Sequence, residues 1–264
     1  MAMRITQGGL QEAVKQFAEK AKGYSSRIQH PSGPIQDLGN FPVFLPTIIE
    51  AIEREDSEIH IACDYVGYGM FNAGTKSDEY RLALLRARSR GCTIRILALG
   101  SKPWQQMGVR VPAQDDEVFQ QLMRKEVFKK NLDAFSERVR QLDLPGLPQG
   151  TWSRARRLGA LVQVEDYYHR MLRGAGIQIT NVSGPLPLYL WVTKSTAIWV
   201  LCPLEPGMRF PLIWYDVLAV GQINPDNPLD EHGFLSCDKR LVQGFRLVWD
   251  QYSAVASRTS ISET

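Results

Sequence analysis

Apolar and polar positions follow their clearest pattern over Glu58–Gly100. Ile59, Ile61 and Cys63 alternate with His60 and Ala62, the two-residue period of a strand. The period then changes. Tyr80, Leu84, Leu85 and Arg88 recur at helical spacing, and Leu82, Ala83 and Ala87 widen the same face. Ser77 or Asp78 is placed to cap that helix at its start. Gly91 falls just past its last turn, where a left-handed backbone is cheap only for glycine. Thr93–Leu99 is nearly continuous in Ile, Leu and Ala, with Arg95 the exception. Strand, helix and strand predict a right-handed βαβ unit with a parallel pair.

The same reading extends to both sides. Leu10–Ala21 spaces Leu10, Ala13, Val14, Phe17, Ala18 and Ala21 as an amphipathic helix, and Gly23–Gly39 is polar and reads as a loop or arm. Phe41–Leu45 suits a short extended piece. Pro46 then suits the first turn of a helix over Thr47–Arg54, with Ile48, Ile49 and Ile52 inward. Beyond a Pro- and Gly-containing connection, Asp115–Leu142 is a long, basic helical stretch. Thr151–Arg173 continues helical until Gly174 and Gly176. Ile177–Val182 alternates as a strand, and Leu188–Val192 with Ala197–Leu201 reads as a hairpin. Phe210–Ala219 suits a strand or short helix. Asp238 caps a closing helix to Gln251, with Leu241, Phe245, Val248 and Trp249 inward, and Ser253–Thr264 reads as a disordered tail. The expected fold class is α/β: a mixed, mainly parallel sheet flanked by helices. Residues 1–40 form a helical arm and 41–252 the α/β domain, with a helical insertion at about 113–172.

Composition narrows the classes. With 264 residues, 44% hydrophobic and 22% charged, the chain can bury a substantial core. A net charge of +3 falls far short of the excess that by itself marks a nucleic-acid binder. Cys63, Cys92, Cys202 and Cys237 lie far apart, without a CxxC, as expected of reduced buried thiols in a cytoplasmic protein. None has a histidine or second cysteine at zinc-ligand spacing, so neither a metal nor a cofactor is expected. Met1–Leu10 lacks a signal-peptide pattern, and Pro187, Pro203 and the polar Thr193–Ser195 break the longest apolar run. No membrane association is expected.

Chemistry is sparse. The chain contains no GxxxxGK[ST], GxGxxG or GxSxG. Ligands of parallel sheets gather at the carboxyl ends of the strands. Asp64, Tyr65, Tyr68 and Asn72 follow such an end and are candidate ligand-binding residues. His232 beside Glu231 reads either as an acid–base pair or as a turn residue with a helix-capping neighbour. His60 reads as a histidine on the sheet face. Glu165 and Asp166 are adjacent, so on a helix they point apart. Arg154, Arg156, Arg157, Arg170 and Arg173, with Trp152, Tyr167 and Tyr168, combine cationic and stacking groups. That mixture suits nucleic acid, and equally a protein–protein surface.

Four runs, taken in order, resemble one repeat of the phospholipase D superfamily. They are IHIACDYVGYG with its helix and TIRILALG, then LRGAGIQIT, then the hairpin LYLWVTKSTAIWVL, then EHGFLSCDKRLVQGFRLVWDQY. The resemblance implies chemistry based on an H-x-K-x-x-x-x-D motif, with a histidine nucleophile and a lysine stabilising phosphate charge. In this chain the matching positions hold Leu186, Leu188 and Thr193, and no H-x-K occurs anywhere. The resemblance therefore implies a non-catalytic relative with no catalytic residue carried over, a binding, assembly or ligand-sensing subunit. Because such sites are built from two repeats, it also implies a homodimer or a similar partner protein. Two other readings stand beside it. One is a phosphodiesterase or nuclease with a non-standard site drawn from His60, Asp64, His232 and Glu231. The other is a nucleic-acid-binding accessory protein using the Arg-rich segment.

Overall fold

The computed structural model describes residues 34–41, 43–64, 66–68, 77–99, 124, 154–184, 186, 188–201 and 232–261. The βαβ unit forms as its pattern dictates. Strand β2 (Glu58–Ala62) pairs in parallel with β3 (Thr93–Leu99), joined through helix α2 (Ser77–Ser89). Gly91 closes α2 with φ +94°. Ahead of the unit lie β1 (Gln36–Asn40) and helix α1 (Leu45–Arg54), with proline in its first turn and Ile48, Ile49 and Ile52 buried. Arg86 and Arg90 of the α2 segment both reach Glu53, Arg86 Nε at 2.7 Å. Arg90 also donates to the Glu53 and Glu55 carbonyls, satisfying orphan acceptors at the end of α1.

Helix α3 (Arg154–Gly174) leads through Gly176, φ +81°, into β4 (Gln178–Val182), which pairs in parallel with β3. The hairpin β5 (Leu188–Val192) and β6 (Ala197–Leu201) is antiparallel, and β7 (His232–Ser236) and helix α4 (Lys239–Ile261) follow. The sheet has seven strands in the order β1-β7-β6-β5-β2-β3-β4. Helices cover both of its faces. Trp191 of β5 donates its indole N–H to Tyr80 of α2 at 3.0 Å. On the opposite face, Trp249 of α4 stacks on His60, ring centroids 4.4 Å apart, and donates to the Ile61 carbonyl at 2.8 Å. Among the described residues no helix is long and apolar enough to cross a membrane.

The α/β class stands, with a mixed sheet. Five of its strands run in one direction, but only the β2–β3 and β3–β4 neighbours are parallel, because β5 and β7 are inserted against the grain. Other expectations change. Gln36–Asn40, read as part of the arm, is an edge strand held to β7. Phe41 and Val43–Phe44 form a turn rather than an extended piece. His232 opens strand β7 instead of sitting in a turn. The supposed tail continues α4 to Ile261, since Tyr252 and Ala256, one turn apart, are buried and prolong the inner stripe. Cys63 and Cys92 are buried thiols outside any disulfide, whereas Cys237 is exposed. The Leu10–Ala21 and Phe210–Ala219 segments lie outside the described residues, as does Asp115–Leu142 apart from Arg124.

Candidate functional site

The strand registers gather one end of the sheet. The carboxyl ends of β2, β3 and β4 lie beside Leu188 at the start of β5, Leu201 at the end of β6, His232 at the start of β7 and Asn40 at the end of β1. Asp64, Tyr68 and His232 all belong to this edge. Tyr65, Asn72 and Glu231 lie outside the described residues.

Asp64 follows β2, whose parallel pairing runs on past the strand: Cys63 N donates to Leu97 O and Leu99 N to Asp64 O, both at 3.0 Å. The Asp64 side chain is buried beneath the edge, not on its rim. Its Oδ1 accepts the Leu186 backbone N–H at 2.6 Å, and its Oδ2 accepts the Tyr189 hydroxyl at 3.0 Å. A carboxylate from the end of β2 thus fixes the approach to β5. Leu186 and Leu188, at the positions where the resemblance places a histidine and a lysine, are buried alkyl groups. Thr193 lies at the far end of β5, where its hydroxyl accepts the Ser195 and Thr196 amides and shapes the hairpin turn.

Glu165 of α3 is a second buried carboxylate. Its Oε2 accepts the Val66 N–H at 2.9 Å and its Oε1 the Gly67 N–H at 3.3 Å. Burial outweighs these two bonds and pushes its carboxyl up to about 8. One turn along the same helix, His169 is buried and bonded to the Leu99 backbone, and among the described residues its Nε2 has no hydrogen-bond partner. Burial, with Arg173 adding to it, holds this imidazole down at about 4. The sequence carried no sign of this pair. Glu165 serves backbone amides almost a hundred residues away, which no local spacing encodes.

Tyr68 is fully buried at the centre of an aromatic cluster. Trp191 lies 4.9 Å from it, Phe41 5.4 Å, and Tyr80 and Tyr189 6.1 Å, ring centre to ring centre. It anchors the turn after β2 from below. His232 Nε2 lies 2.7 Å from Asp37 Oδ1 and its Nδ1 2.5 Å from Asn40 Oδ1, so its described partners stand on β1. Three strand spacings, about 14 Å, separate β7 from β2, and His232 and Asp64 therefore form no common hydrogen-bonded group. His60 sits within β2 against Trp249. Burial lowers its pKa, with Arg246 and Arg95 acting in the same sense and Glu58 opposing. Among the described residues no three His, Cys, Asp or Glu side chains are placed to hold a metal.

Of the arginines, Arg170 is exposed, while Arg173 donates to the Ile179 carbonyl and to Asn181 Oδ1, both at 3.2 Å. Arg154, Arg156 and Arg157 fall in the first turn of α3, and their side chains are outside the described residues. Tyr168 is buried, with Arg81 over its ring at 6.0 Å.

No protein-family model matches the sequence, and neither does any curated protein. Solved structures with some likeness include TrmBL2, an archaeal chromatin protein described with a novel mode of DNA binding (15% identity, TM-score 0.38). The likeness covers 93% of this chain and 65% of TrmBL2. The phosphatidylserine synthase of Haemophilus influenzae shares 12% identity at a TM-score of 0.38, over 83% of this chain and 36% of that one. Nuc from Salmonella typhimurium, a phospholipase D family member, shares 12% identity at a TM-score of 0.39, over 83% of this chain and 93% of Nuc. Likenesses at scores of this size assign nothing to this chain, whose α/β fold stands on its own strand pairings.

Proposed function

We propose that this chain is a non-catalytic, phospholipase D-like protein that works as an assembly subunit, pairing with a second copy of itself. The observation that supports this reading is the engagement of Asp64. Both its oxygens serve the Leu186 amide and the Tyr189 hydroxyl below the sheet edge, beside alkyl side chains at Leu186 and Leu188. Hydrolysis of a phosphodiester needs a nucleophile, a base within hydrogen-bond reach and donors for the developing charge. A leucine supplies none of these. The buried carboxylates hold backbone together instead, as befits a scaffold.

Two measurements on one preparation test the proposal. With bis(p-nitrophenyl) phosphate as substrate, no turnover above buffer is expected. Hydrolysis that disappears in His232→Ala or His60→Ala would establish the phosphodiesterase alternative. Light scattering is expected to give twice the 29.9 kDa chain mass. A monomer would refute self-pairing. A high absorbance ratio at 260 over 280 nm that falls as salt is added would instead place nucleic acid on the Arg-rich segment.

A further inference from the structure

Strand β4 ends the sheet among the described residues, and the pairing of its neighbour fixes which of its groups face outward. Cys63 N donates to Leu97 O and Leu99 N to Asp64 O, so Leu97 and Leu99 turn their backbone groups toward β2. In a parallel ladder alternate residues serve opposite neighbours. Ile96 and Ala98 therefore turn toward β4. They stand level with Ile179 and Asn181, and so bond the residues on either side of these, Gln178, Thr180 and Val182. The backbone groups of Ile179 and Asn181 are left pointing away from β3.

An edge of this composition favours pairing. Gln-Ile-Thr-Asn-Val holds no charge, no proline and no glycine, and three of its five residues are β-branched. Gln178 and Asn181 are exposed. The group that stands on this edge is the side chain of Arg173, from the last turn of α3. The chain turns back sharply there. Gly176 N donates to Arg173 O at 2.9 Å and Ile177 N to Leu172 O at 3.0 Å, which sets Arg173 beside the strand that follows it. Arg173 Nη2 donates to the Ile179 carbonyl, one of the outward groups, and to Asn181 Oδ1, both at 3.2 Å. A further strand would have to run about 4.8 Å from β4 and bring an amide to that same carbonyl. Arg173 is itself exposed, so its charge keeps its contact with water while it holds the edge.

We infer that Arg173 guards the sheet edge: by occupying the Ile179 carbonyl it keeps β4 from pairing with the β4 of a second copy. This goes beyond the self-pairing proposed above and stands apart from it, because the test compares each variant with the unmodified protein, whether that is one chain or two. Amide exchange resolved by NMR and light scattering on the full chain provide the test. In the unmodified protein the Ile179 and Asn181 amides exchange at least about tenfold faster than those of Thr180 and Val182. Arg173→Met, which keeps the stem and removes every donor, at least doubles the particle mass and slows the Ile179 and Asn181 amides to the rate of their neighbours. Arg173→Ala does the same, while β2 and β3 keep their protection in both variants. Adding Ile179→Pro removes an outward amide at a position where an edge strand tolerates proline, and returns the mass to that of the unmodified protein. Slow exchange at Ile179 and Asn181 in the unmodified protein overturns the inference, since the edge is then already paired. So does an unchanged mass in both Arg173 variants. A rise in mass that Ile179→Pro leaves in place also overturns it, because the copies then meet elsewhere.

Discussion

Glu165 and His169 stand one turn apart on α3, and burial moves them in opposite directions. Glu165 rises from 4.5 to about 8, so the folded chain keeps a proton that the unfolded chain releases. Its contribution to stability is full below pH 4.5 and is lost as pH rises through about 8. His169 falls from 6.5 to about 4, so its contribution is full above pH 6.5 and is lost as pH falls through about 4. Between pH 4.5 and 6.5 the two slopes cancel. Above that window Glu165 acts alone and lowers stability by about 2 kcal/mol up to pH 8. Glu165→Gln, which cannot ionise, shifts the whole curve by a constant but removes this alkaline decline. Urea unfolding at a series of pH values measures it, and a decline that persists in the variant would assign it to another group. Asp64 is tested separately. Asp64→Ala removes the acceptor that both the Leu186 amide and the Tyr189 hydroxyl use, and is expected to cost about 1–3 kcal/mol in the same assay.

At the scale of elements, the sequence was legible wherever a full period was visible. β2, α2 and β3 appear within a residue of their expected bounds because Ile, Leu and Ala recur there over several repeats. The hairpin strands β5 and β6 match to the residue, since both are apolar on both faces and a polar turn separates them. β1 and β7 were not legible as strands. Each has five residues and contains a glycine, and Gly39, φ +77°, shifts the β1 register, so neither leaves an alternating trace. The candidate site was half legible. The ends of the parallel strands pointed to Asp64 and Tyr68, but the burial of both follows from partners on β5 and α2 that only the fold brings near. Gly233 shows how tightly β7 is packed. A Cβ there would come within 2.8 Å of the Phe44 ring, whose position is fixed under the sheet. Gly233→Ala is therefore expected to destabilise by about 1–3 kcal/mol. Thermal unfolding checks it, and an unchanged midpoint would show that the ring moves aside freely.

For the molecule as a whole, stability is graded across the sheet. β2, β3, β5 and β6 are almost fully buried between helices, whereas β1 is a short, half-exposed edge. Besides its backbone ladder, β1 is tied down by His232, which reaches both Asp37 and Asn40. His232→Ala is expected to speed amide exchange over residues 36–40 while leaving β2 and β3 unchanged. Equal acceleration in β2 would mean that the edge and the centre open together.

Because Asn40 meets His232 from 192 positions away, the order of synthesis matters. A ribosome releases β1 well before β7, its pairing strand among the described residues. The β2–β3 unit can close early from local contacts, but β1 waits for β7 while the 192 positions between Asn40 and His232 are made. Such a strand offers its amides and carbonyls to any neighbour. Its composition, Gln-Asp-Leu-Gly-Asn, carries a charge, a glycine kink and a single large apolar side chain. Those features that hid β1 from pattern reading are the ones that keep a waiting strand from joining the wrong sheet.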